Sequence, residues 1–129
     1  METRATDRMS ATMPLDWEHG GLAEGLRCYR RQEFFLAHEH WEDVWRVSAG
    51  PEKTFLQALI QIAAAFHHLR RQNPVGAASL LGAALRKLEQ YPAAYEGVAV
   101  EPLREDLRAW IDALGRNEAS PGLAFPVVR

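Results

Sequence analysis

Within twelve residues, from Phe34 to Trp45 (FFLAHEHWEDVW), the chain sets two histidines and three carboxylates among two phenylalanines and two tryptophans. Imidazole and carboxylate groups are the usual protein tools for moving protons and for holding divalent ions. His38 and Glu42 stand at i and i+4, the spacing by which one helix presents two donors to one ion. The run reads H-E-x-x-E, which differs from the zincin H-E-x-x-H by a glutamate in place of the second histidine. No zincin signature follows downstream, and the paired E-x-x-H of di-metal bundles is missing too.

Three readings of these residues stay open. In a metal site, His38 and Glu42 are ligands, His68 is the third, and Glu39 is placed to act as base toward a bound water. In a metal-free pocket, His38 or His68 works beside Glu42, Trp41 and Trp45 form an apolar wall, and Gln57 and Gln61 contact a small polar ligand. In a structural network there is no ligand. His38 and Glu42 then form a buried hydrogen-bonded pair, Gln57 and Gln61 bond across helices or to the extended strap at 95–100, and the tryptophans are core.

The elements that must position these groups follow from periodicity. At about 100° per residue, Phe34, Ala37, Trp41, Val44 and Trp45 share one face of a helix running from about Gln32 to Val47. His38 lies inside the edge of that face, Glu42 just beyond it, and His40 and Asp43 point toward water. Gly50-Pro51 ends this helix and opens the next. No formally charged residue occurs from Thr54 to Leu69. Phe55, Leu59, Ile62, Phe66 and Leu69 cover one side of that helix, and Leu56, Ile60 and Ala63 a second. What remains is a narrow stripe of Gln57, Gln61, Ala64 and His68. Such a helix is expected at the centre of a bundle, and the short Gly-Pro link makes it antiparallel to its predecessor.

A preceding helix is expected from Asp16 to about Arg30, where Gly20, Gly21 and Gly25 either delay its start or permit a close helix contact. Asn73-Pro74 starts a fourth helix that runs to Gln90, and Pro102 starts a fifth that Gly115 caps. The segment from Tyr95 to Val100 reads as an extended strap. The expected fold is therefore all-α: one antiparallel bundle of about five helices over residues 14–118, with a central apolar helix at about 52–72. Residues 1–13 read as a disordered leader and residues 119–129 as an extended tail. Leu123, Phe125, Val127 and Val128 of that tail are expected to dock on the body or on a partner chain. Docking on a partner would make the protein a homo-oligomeric interaction module.

Bulk properties narrow the setting. In 129 residues, 47% are hydrophobic and 25% charged, enough for one domain with a real core. The net charge is −2, against the basic excess that nucleic acid or an anionic membrane would require. Arg30-Arg31 and Arg70-Arg71 read as solvated helix ends. The single cysteine, Cys28, reads as a buried thiol in a reducing compartment, and the polar start has no signal-peptide apolar region. The setting expected from these features is cytoplasmic.

The combination of Phe34–Trp45, Phe55–Ala65 (FLQALIQIAAA), His68-Leu-Arg-Arg-Gln-Asn73 and Gly76-Ala77 resembles the domain of unknown function 309 family, in order and spacing, over residues 25–115. His38, Glu39, Trp41, Glu42, Trp45, Gln57, Gln61, His68 and Asn73 match its pattern. Leu36 stands where an acidic residue is usual, and Ala58 and Gln72 stand where glycine is usual. The resemblance implies a compact helical bundle and no established activity.

Overall fold

Residues that cannot continue a helix, or that close one, set the junctions of this chain. The computed structural model describes residues 15–117 and 122–129, and the expected leader lies outside them. Helix α1 spans Gly20–Arg30, α2 Phe34–Arg46, α3 Gly50–Arg70, α4 Pro74–Leu88 and α5 Val100–Gly115. Two of the junctions share one geometry. Gln32 and Gln72 both take φ 64°. At the first, the Gln32 amide donates to Tyr29 O and the Glu33 amide to Cys28 O. At the second, the Gln72 amide donates to Leu69 O and the Asn73 amide to His68 O. These are Schellman closures, in which a left-handed residue lets the chain satisfy the last carbonyls of a helix. At the start of α4 the Asn73 side chain accepts from the Gly76 amide at 3.0 Å.

Each helix packs on the next in sequence, and α3 stands in the middle. Phe55, Leu56, Leu59, Ile62 and Phe66 of α3 have no exposed surface, as expected for the central apolar helix. Helices α1 and α2 meet at close range because α1 has no side chain at the contact. A Cβ on Gly25 would lie 2.3 Å from Trp41 Nε1, and one on Gly21 would lie 2.7 Å from a Val44 methyl. Trp41 fills that space, stacked on Tyr29 at 5.8 Å and donating from Nε1 to Leu22 O at 3.2 Å.

The connection between α4 and α5 departs from the expected strap. It is a hairpin of two short antiparallel strands, β1 Ala94–Tyr95 and β2 Val98–Ala99, paired Ala94 with Ala99 and Tyr95 with Val98. Glu96 and Gly97 have φ 49° and 81°, as the two-residue hairpin turn that matches strand twist requires. Trp17 Nε1 donates to Glu96 O at 2.8 Å, which ties the segment before α1 to the hairpin. Helix α5 follows at once, from Val100 rather than Pro102. From α5, the buried Arg104 guanidinium donates to Leu88 O at 2.7 Å, which also accepts the Tyr91 amide, and to Tyr91 O at 2.8 Å, tying α5 to the turn that follows α4.

Residues 122–129 return to the body. Phe125 packs within 5.0 Å of both Phe34 and Phe66 and stacks on Trp110 at 5.6 Å. Trp110 Nε1 donates to Ala124 O at 2.9 Å and the Tyr29 hydroxyl to Pro126 O at 2.7 Å. Val128 is buried, while Leu123 and Val127 stay exposed. No described helix is long and apolar enough to cross a membrane.

Candidate functional site

Helix α2 brings His38, Glu39 and Glu42 together: each offers a donor atom, and these atoms lie within 4.8 Å of one another. The grouping follows from helix geometry, since positions i, i+1 and i+4 leave a helix within one turn of each other. His38 and Glu42 are half-buried and Glu39 is exposed. His38 Nδ1 lies 3.5 Å from Glu39 Oε2, too far for a good hydrogen bond. It is nonetheless a buried atom with no hydrogen-bond partner among the described residues.

The expected hydrogen-bonded pair of His38 and Glu42 does not form. Glu42 Oε1 accepts instead from Arg46 NH2 at 3.3 Å, and the same guanidinium donates to Asp43 Oδ1 at 2.7 Å. Arg46 is four residues from Glu42 on the same helix and takes the carboxylate's hydrogen bond, while the Glu42 and His38 donor atoms still lie within 4.8 Å of each other.

His68 stands apart from this group. Its Nδ1 faces Asn73 Nδ2 at 3.2 Å, so the ring is joined to the cap of α4. Its neighbour His67 lies against Phe35 at 5.2 Å, and Phe35 stacks on His38 at 6.2 Å. Burial pushes the His67 pKa below its ordinary value, and the positive fields of Arg71, His68 and His38 push the same way. A shallow cavity of about 200 Å³ opens beside His67, lined by Phe34, Phe35, Leu36 and Arg70 among others.

The two tryptophans divide. Trp41 is fully buried and hydrogen-bonded, so it is core and not a pocket wall. Trp45 is half-buried, its Nε1 is enclosed without a partner among the described residues, and the Lys53 ammonium lies 4.4 Å from its ring centroid. On α3, Gln57 and Gln61 are half-buried, and Gln61 Oε1 is also enclosed without a partner among the described residues. The α2–α3 pair thus carries four polar atoms without a partner among the described residues: His38 Nδ1, Trp45 Nε1, Gln61 Oε1 and, in the first turn of α3, Glu52 Oε1. Each such atom costs on the order of 1–3 kcal/mol if nothing meets it.

Glu52 carries no local mark of a site: it is an acid in the first turn of α3, where the positive end of the helix suits it. It is buried, its Oε2 accepts from the Tyr95 hydroxyl at 2.6 Å, and its Oε1 has no partner among the described residues. Only the hairpin, folded back over the start of α3, makes this contact, and no local pattern signals it. Cys28 is buried as expected, and burial raises its thiol pKa, which makes it a poor nucleophile at neutral pH.

A family model described as Domain of unknown function (DUF309) matches residues 22–80, which hold every member of the α2–α3 group. The chain resembles that family. An uncharacterized protein of Aquifex aeolicus (strain VF5) is 29% identical over 98 residues, covering 75% of this chain and 28% of the relative. The chain thus spans little more than a quarter of the curated relative it matches. No solved structure matches it at a significant level.

Proposed function

We propose that this chain binds one divalent metal ion through His38, Glu42 and Glu39, and that it uses the ion for hydrolytic chemistry on a small polar substrate. The observation that carries the reading is the enclosed His38 Nδ1. It lies within a group of three donors yet has no hydrogen-bond partner among the described residues. An imidazole with two carboxylates suits zinc, manganese, iron or cobalt, whereas magnesium and calcium favour oxygen alone. Three protein donors leave coordination positions open, the pattern of a catalytic site and not of a closed structural one.

When bound, such an ion would acidify its water, by zinc precedent to a pKa of about 7. The chain's own residues would do the rest. Arg46 holds the Glu42 carboxylate in a fixed direction. Glu39, the exposed member, is either the third ligand or the base that takes the water's proton. His68 is left out, because it does not belong to the group of converging donors and its Nδ1 faces Asn73 instead. A cytoplasmic setting, in keeping with one buried thiol, belongs to the same proposal.

Elemental analysis of untagged protein tests the reading directly. About one divalent ion per chain is expected, lost in His38→Ala and in Glu42→Ala and retained in Asp43→Ala, whose carboxylate lies outside the group. Correctly folded protein that takes up no zinc or manganese would overturn it. The purely structural reading is separated by Glu42→Gln in chelator-treated protein. The metal reading predicts an unchanged melting temperature and the structural network a clear drop.

A further inference from the structure

Beyond the ion itself, the seam between α2 and α3 carries a second half-site of opposite character. Trp45 lies three residues past Glu42, so the two are neighbours on one flank of α2. Its indole Nε1 is a donor enclosed without a partner among the described residues. Lys53, reaching over from the first turns of α3, holds its ammonium 4.4 Å from the indole centroid. Among the described residues Lys53 has no carboxylate partner, although Glu42 is one turn from the indole it covers. Glu42 is taken by Arg46.

A cation without a counter-charge, set on an aromatic face beside an unmet N–H donor, is matched by an oxyanion. We infer that the substrate of the site proposed above carries a carboxylate or phosphate group, held by Lys53 with Trp45 beside the ion. This rests on the metal reading, since without the ion the carboxylates of Glu39 and Glu42 would repel such a ligand. Lys53 and Trp45 would then set specificity, and His38, Glu39 and Glu42 would hold the ion.

Calorimetric titration of the full-length, metal-loaded chain with glycolate and with methyl phosphate provides the test. Saturable binding of at least one probe is expected, and the tighter of the two names the acid group. Lys53→Met keeps the aliphatic stem over the indole but removes the charge. It should weaken binding roughly tenfold with metal content unchanged, and Lys53→Arg should restore most of it. Binding that is absent, or equally tight in Lys53→Met because the anion meets only the metal, would overturn the inference. Failure of the metal reading is seen separately, in the metal content of the unsubstituted protein before any anion is added.

Discussion

Tyr29 shows how a single buried residue carries a pH signature. Burial raises its phenol pKa far above the ordinary 10.0, because the phenolate would lose its hydration. Tyr95 is shifted the same way, first by burial and then by its bond to the Glu52 carboxylate. A raised acid pKa means that the folded state keeps its proton where the unfolded chain has released it. The stability from these groups is therefore fully present below pH 10.0 and is lost as pH rises above it. Urea unfolding from about pH 8 to about pH 11 should show this decline, and Tyr29→Phe should flatten part of it. At neutral pH the same variant loses only the bond to Pro126 O, about 1 kcal/mol. The polar residues of α2 teach a related lesson. Counting along a wheel brings His38 and Glu42 to one edge, and their donor atoms do converge. It does not foresee competition, and Arg46, also four residues from Glu42, takes the carboxylate.

Among the elements, the contact between α1 and α2 is set by what α1 lacks. Gly25→Ala would drive a Cβ into the indole of Trp41, which is fully buried and has no room to turn. A loss of about 1–3 kcal/mol is expected from such overpacking. Gly82→Ala is the control. Its Cβ would meet only the flexible tip of Arg86, at 3.5 Å. That helix should gain about 0.5–1 kcal/mol from the better helix former. Thermal denaturation of both variants reads the difference in sign. Gln72 belongs to the same scale. The family pattern that this chain resembles has glycine there, and the structure gives the reason, since the position closes α3 with φ 64°.

In the whole molecule, the tail is part of the core. Phe125 lies among Phe34, Phe66 and Trp110, which belong to α2, α3 and α5. Phe125→Ala should cost about 2–4 kcal/mol, lower the melting temperature by several degrees and alter Trp110 fluorescence. A wild-type melting temperature would show that the tail contributes nothing. Helix number, the central place of α3, the Gly-Pro and Asn-Pro junctions and the buried thiol were legible in the sequence, because periodicity, backbone restriction and burial of apolar residues act over a few neighbouring residues. The tertiary structure decided what depends on distant partners. The stretch from Tyr95 to Val100 became a hairpin because Glu96 and Gly97 adopt a turn that Trp17, some eighty residues earlier, hydrogen-bonds. Glu52 became buried because that hairpin brought Tyr95 over it. His68 was drawn to Asn73 and away from His38. Residue types and spacing set which polar groups leave one helix together. Which of them remain without a partner is decided only when every other side chain has found its own.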